Sequence, residues 1–225
     1  MKKQLIVILF IAFVTTISMS SCNETIDFVE EIAPPDNASI SGSLAGKINH
    51  DKLDMSDKAS CTFDRFPWTV AKFKELQSQV STEPQGAVTM VLIAMEIFRK
   101  YPVIGEKCLY LTTTENEHDP NNPGRMSKDR IMHRLNELLR GNDNYYIRPY
   151  QVAAYLKGAH QQNGYIPDKP YTVEVEIMNF PYEYNSKMDA KFIQYYVLTR
   201  GKDSGKDIIR VIKPWDSKFF LVDNF

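Results

Sequence analysis

The chain has 225 residues, 43% hydrophobic and 24% charged, with 27 Lys and Arg against 28 Asp and Glu for a formal net charge of -1. This is the composition of an ordinary globular protein, and it excludes wholesale disorder, a collagen-like repeat and a disulfide-packed miniprotein. The balanced charge also excludes the electropositive footprint of a dedicated nucleic-acid binder.

Taken from the start, Lys2 and Lys3 precede an apolar run from Leu5 to Val14, and small residues follow up to Cys22. A spanning helix needs about 20 apolar residues, so residues 1–21 read as a signal peptide and not as a permanent membrane span. Met19-Ser20-Ser21-Cys22 resembles a bacterial lipobox, in a form like that of lipoproteins from gut Bacteroidetes. The resemblance implies cleavage before Cys22 and acylation of its sulfur and new amino group with palmitate-like chains. Two or three such chains anchor a protein stably where one does not. The expected location is the bacterial cell envelope, at the outer membrane in preference to the inner. Residues 22–62 read as a lipidated acidic tether. Glu24, Asp27, Glu30, Glu31, Asp36, Asp51, Asp54 and Asp57 outnumber Lys47, Lys52 and Lys58, and Ser, Asn, Gly and Pro34-Pro35 fill the remainder.

Residues 63–225 read as a single globular α+β domain. Val70, Phe73, Leu76 and Val80 carry helical spacing, which predicts a helix over 69–80. A second helix, capped by Ser81 or Thr82 with Pro84 in its first turn, runs to about Lys100. It is apolar nearly all round, so it is expected to be the central helix, ended by Tyr101-Pro102. A short strand-like piece is expected at Cys108 to Leu111, then a polar loop. A third helix should run from Ser127 to Gly141, with a short helical segment near Pro149 to Leu156. After Asn163-Gly164 the period changes to two: Tyr171, Val173, Val175 and Ile177 alternate with Thr172, Glu174 and Glu176. Phe192–Thr199 and Asp207–Lys213 flank a turn containing Gly201 and Gly205, and Lys218–Val222 supplies a last strand. The expected architecture is N-terminal helices packed on one face of a C-terminal four-stranded antiparallel meander.

Arg148-Pro149-Tyr150, Lys157-Gly158-Ala159, Asn163-Gly164-Tyr165-Ile166-Pro167 and Lys169-Pro170-Tyr171-Thr172-Val173 resemble an uncharacterised domain family of gut-bacterial lipoproteins and secreted proteins. Lys213, Trp215 and Phe219 fit the end of the same domain, so the resemblance covers about Phe66 to the terminus. It implies a location and an architecture and carries no catalytic residues.

With Cys22 acylated, Cys61 and Cys108 remain as an even pair, a disulfide candidate in an oxidising compartment. Against the bridge, the apolar surroundings of Cys108 suit an inert buried thiol. His50, His118, His133 and His160 show no metal-ligand spacing, and no nucleophile elbow, P-loop or dinucleotide fingerprint is present. Asp129, His133 and Glu137 share a helix face that reads as solvated, and the oxygen-rich stretch Glu115–Asn122 lacks the register of an EF-hand. Glu174 and Glu176 are two carboxylates on one strand face, whereas glycoside hydrolysis takes its pair from across a cleft.

All but two of the twelve tyrosines lie between Tyr145 and Tyr196. Packing accounts for most of them, but Tyr165, Tyr182, Tyr184 and Trp215 fall where a loop platform is expected, making them the candidate ligand-binding residues. Basic residues of the last hairpin, Arg200 to Lys218, guard a sheet edge. The expected function is a membrane-anchored, non-enzymatic binding or scaffold module with a glycan, peptide or envelope-protein partner, without metal, cofactor or nucleic acid. The alternative is an envelope hydrolase or glycan-processing enzyme whose site is assembled from residues distant in sequence.

Overall fold

The computed structural model describes residues 38–49, 54, 56–128, 132–140, 150–185 and 190–225. The expected signal peptide and Cys22 lie outside the described residues, as does the expected tether up to Asn37. The first helix, α1 (Val70–Val80), starts where Thr69 is extended and its hydroxyl accepts the Lys72 N–H, a side-chain cap. Its apolar stripe of Phe73, Leu76 and Val80 is buried as the spacing requires. Gln77 is buried beside them, and its Nε2 donates to the Leu111 carbonyl at 2.8 Å.

Helix α2 (Pro84–Lys100) is buried at nearly every position and forms the centre of the molecule. Its N-cap is Glu83, one or two residues past the Ser and Thr expected there, and no side chain caps it. The Glu83 carbonyl takes the N–H groups of Gly86 and Ala87 instead. Pro102 opens a further helix, α3 (Pro102–Thr112), so Cys108–Leu111 is helical where a strand-like piece was expected. The reason is local. Tyr101, before the proline, leaves the helical region with φ -134 and ψ 82, and Pro102 is preorganised for a first turn. At Gly105 a Cβ would stand 2.1 Å from the Phe98 Cα, so only glycine lets α3 lie this close on α2. In the expected third helix the described part is α4 (His133–Leu135), continuing into a wider turn over Asn136–Arg140. Leu135 and Leu139 are its buried residues.

The sheet has six strands: β1 (Gly42–Gly46), β2 (Lys58–Phe63), β3 (Tyr171–Asn185), β4 (Ala190–Leu198), β5 (Lys206–Ile212) and β6 (Leu221–Asn224). Their order is sequential and every neighbouring pair is antiparallel. The expected four-stranded meander is β3 to β6, and two strands precede it. Both come from the stretch read as tether. Phe63 of β2 pairs with Tyr171 of β3, so the helices interrupt one continuous meander. Ile40, Ile48, Ala59 and Cys61 are buried and belong to the core, which places these residues within the domain.

One face of the sheet packs on the helices: Cys61, Val173, Tyr195, Val211 and Val222 all lie in the single core with α2. The other face carries Thr62, Thr172, Glu174, Glu176, Tyr196 and Ile208, all exposed or half-buried, while Phe192 and Ile212 further along the same face are buried. The register of β3 against β4 breaks between Ile177 and Tyr182. Pro181, which has no N–H for the ladder, lies in that break.

Candidate functional site

Three short pieces of chain meet at the end of the sheet where β3 begins, β4 ends and β5 begins. The Arg200 N–H donates to the Ala154 carbonyl at 2.8 Å, and the Lys157 N–H donates to Thr172 at 2.9 Å. The Asp168 N–H closes back on Lys157 at 2.9 Å, so residues 150–168 are strapped across the strand ends by main-chain bonds. Asn163 staples the loop internally: its Nδ2 donates to the carbonyls of Gly158 and Ile166, and its Oδ1 accepts from the N–H groups of His160 and Ile166. Gly158 has φ +83, and a Cβ there would stand 2.3 Å from the Asp168 carboxyl carbon. Glycine is required at that position both by conformation and by space.

Between the strap and the sheet lies a groove of about 450 Å³, with Ala154, Leu156 and Leu198 on its floor and Lys157, Asp168, Glu174 and Arg200 among its polar groups. A second hollow of about 390 Å³ runs onto the face of the sheet away from α2, past Ser60, Lys58 and Glu176. Glu174 and Leu198 line both, so the two form one trough.

The charges along the trough are largely paired with one another. Lys157 Nζ is 3.1 Å from Glu174. Glu176 is bridged by Lys206 at 2.5 Å and Lys58 at 2.8 Å, and these two ammonium groups hold its carboxyl below the ordinary carboxylate range. Lys206 also lies 5.0 Å from the centre of the Tyr196 ring. Behind the strap, the Tyr155 hydroxyl donates to Asp207 at 2.5 Å, and Lys202 reaches the same carboxylate at 2.7 Å. Burial acts to raise the Asp207 pKa, but the bonds from Lys202, Tyr155 and the Ile208 N–H outweigh it and the net shift is downward. Burial pushes the Tyr155 phenol well up, with the neighbouring Asp207 adding to the effect.

The residues expected as one aromatic platform stand in three segments. Tyr165 is in the strap, half-buried and stacked on Tyr150 with centroids 4.1 Å apart and planes at 9°. Tyr182 and Tyr184 lie on β3 beyond its register break, opposite Ile193 and Lys191. Trp215 is in the turn between β5 and β6, 99% exposed. Since β3 and β5 run in the same direction, Trp215 lies at the other end of the sheet from Tyr165.

Another aromatic cluster had no signal in sequence spacing. Phe66 packs against Phe63, Trp68 and Tyr171 with centroids 5.1–5.4 Å apart, and Lys100 Nζ lies 4.2 Å over Trp68. With Phe66 stacked on Trp68 and Lys100 over its ring, the cluster works as packing that fixes the approach to α1.

Cys61 and Cys108 are both free and buried, on β2 and α3. Burial pushes the Cys61 thiol up to about 11, against a smaller opposing bond to Thr89, and drives Cys108 upward as well. Neither is an activated nucleophile. His118 stacks on Tyr110 with centroids 3.9 Å apart, and burial lowers its pKa. His133 is exposed and lies 3.3 Å from Glu137, as expected of a solvated helix face. In the oxygen-rich loop, the Asp119 carboxylate is occupied by the Asn121 N–H and the Asn122 side chain. Among the described residues no three His, Cys, Asp or Glu side chains converge as a metal site would require.

Fold and site together define an α+β domain with one sheet face on its helices and a strapped, ion-paired trough at one end of the sheet. The chain belongs to the family described as Domain of unknown function (DUF6935), which matches residues 65–225. The match begins directly after β2, so β1 and β2 precede it. No curated protein and no solved structure matches the chain. Among the described residues no helix is long and apolar enough to cross a membrane.

Proposed function

We propose that the chain is a bacterial lipoprotein, of the kind found in Bacteroidetes, cleaved before Cys22 and held in the cell envelope by acylation of that residue. Its globular domain serves as a non-enzymatic binding module, and the trough at the end of the sheet is its contact surface. The outer membrane is the preferred site, and a glycan, a peptide or another envelope protein is the partner. The signal anatomy and the Met19–Cys22 motif support the anchor.

One observation carries the reading of the domain: the carboxylates Glu174 and Glu176 in the trough are paired with lysines. A catalytic carboxylate acting as general acid is tuned upward and stands free to exchange a proton. Glu176 in the trough and Asp207 behind the strap are both shifted downward, and each is engaged by lysine. Such a surface recognises by shape and complementary charge, with Arg200 and Asp168 at its rim.

A glycan and peptide binding screen on the processed chain, Cys22 to Phe225, tests this. The expected result is saturable binding to one ligand class, weakened at least tenfold by Arg200→Ala or Glu174→Ala with the fold intact by circular dichroism. Binding that both substitutions leave unchanged removes the trough from the account. Turnover of any ligand in the screen contradicts the non-enzymatic reading.

A further inference from the structure

The turn joining β5 to β6 runs Lys213-Pro214-Trp215-Asp216-Ser217-Lys218-Phe219. Its tip, Trp215, is 99% exposed, and no described residue makes a ring or cation contact with it. A packed tryptophan buries roughly 150–250 Å², so the fold leaves one of its largest apolar side chains wholly in water. This is not a slack loop. The Ser217 N–H donates to the Pro214 carbonyl at 3.1 Å, and the Ser217 hydroxyl donates to the Phe219 carbonyl and accepts the Phe219 N–H. The indole is held outward on a formed turn.

Exposed lysines stand on either side. Lys213 Nζ is 4.9 Å from the Phe220 ring centre, and Lys218 Nζ is 5.4 Å from that of Phe219. Each side chain passes an aromatic ring while its residue stays exposed, as a snorkelling lysine does. Asp216 offsets one of the two positive charges. An indole between cations suits one environment in particular, the headgroup layer of a bilayer: tryptophan prefers that depth, and lysine gains from anionic lipid.

We infer that the β5–β6 turn is a second membrane contact, with Trp215 inserted at the level of the headgroups and Lys213 and Lys218 on anionic phosphates. The inference rests on the lipid-anchor reading, because one indole and two lysines bind a membrane only weakly from solution. Confinement by a tether raises the effective concentration of the tip to roughly the millimolar range, enough to populate a weak contact. The reach is sufficient. Gly42, where β1 starts, pairs with Phe63 at the end of the sheet opposite the turn. With strands about 4.8 Å apart and a rise of about 3.3 Å per residue, the turn lies roughly 45 Å from Gly42 across the sheet diagonal. Extended chain from Cys22 to Asn37 covers at most roughly 50–58 Å. Anchor and turn can therefore engage one bilayer together, most easily with the domain lying along its surface.

The test couples the processed chain through the Cys22 thiol to a maleimide lipid in phosphatidylglycerol-containing vesicles. Cys61 and Cys108 are buried and stay out of the coupling. Part of the vesicle lipid is brominated in its acyl chains, and tryptophan emission is read. Trp68, packed between Phe66 and Lys100, serves as the internal reference. The expected result is a blue shift and a loss of more than half of the Trp215 emission, with Trp215→Ala removing the whole quenchable fraction. Lys213→Gln and Lys218→Gln each lower the contact constant about fivefold, the worth of one lysine near an anionic surface. Emission that stays at the water-exposed position and unquenched on the coupled vesicles overturns the inference. Because coupling replaces natural acylation, that result leaves the anchor reading standing, and an unacylated Cys22 in cells leaves this measurement intact.

Discussion

Cys61 and Cys108 show how burial decides the chemistry of a side chain that sequence leaves open. An even cysteine pair in an envelope protein invites a disulfide. In the fold one thiol faces α2 from β2, bonding to Thr89, and the other lies within α3. Both are shielded, and the Cys61 thiol is displaced from 9.0 to about 11 by burial. The linkage has a definite sign: the folded state keeps a proton that the unfolded chain releases. The contribution of Cys61 is complete below its ordinary value of 9.0 and is lost as the pH rises toward about 11. The expected outcome is a urea midpoint that falls across that window, less steeply in Cys61→Ala. Native protein should also leave both thiols unmodified by a thiol reagent at neutral pH, and denatured protein should expose both. A native protein that reacts at once, or a mobility that changes with reductant, would contradict the free, buried assignment.

Among elements, the edge strand β1 is held by side chains as much as by its partner strand. Gln79 on α1 accepts the Gly42 N–H at 2.9 Å and donates to the Ile40 carbonyl at 3.1 Å, so one amide occupies two main-chain groups. Asp64 takes the Ser41 N–H, and Arg65 donates to the carbonyls of Ala38 and Ser39. Replacing Gln79 by Ala should cost about 1–2 kcal/mol. It should also speed amide exchange at Gly42–Gly46 while leaving β4 protected, which hydrogen exchange read by mass spectrometry will resolve. Equal protection of β1 in the variant would remove the clasp from the account.

The same scale explains what could be read in advance. Helices α1 and α2 and the strands β3 to β5 repeat a period, apolar every third or fourth residue or every second, and their burial follows it. Strand β1, Gly-Ser-Leu-Ala-Gly, has almost no alternation, and β2 pairs with a strand more than a hundred residues later in the chain. Such pairing leaves no local trace, so acidic, polar surroundings made both strands look like tether. Helix α3 was obscured differently: a proline reads as a stop, and here it also starts the next helix.

For the whole molecule, the trough was the least legible feature. Its floor and rim come from Ala154–Ala159, Asp168, Glu174 and Leu198–Arg200, which only the end of the sheet brings together. Asn163-Gly164-Tyr165 was singled out by its unusual composition, and the structure gives the reason: the asparagine staples the strap, and the glycine and tyrosine after it both take positive φ. Among the described tyrosines, Tyr155 and Tyr195 are buried, Tyr150 and Tyr165 stack in the strap, and Tyr182 and Tyr184 lie further along β3. Of the expected ligand residues, Tyr165 stands at the trough end of the sheet and Trp215 at the opposite end, where a membrane offers the more fitting partner.

The central claim is that the domain acts from a membrane to which Cys22 attaches it. The N-terminal peptide of the protein, taken from the membrane fraction of the cells that make it, tests this most directly by mass spectrometry. The account predicts a mature chain beginning at Cys22 and carrying a thioether-linked diacylglycerol, with Cys22→Ser releasing the protein from the membrane. An N-terminus elsewhere, or an unmodified Cys22, would contradict it.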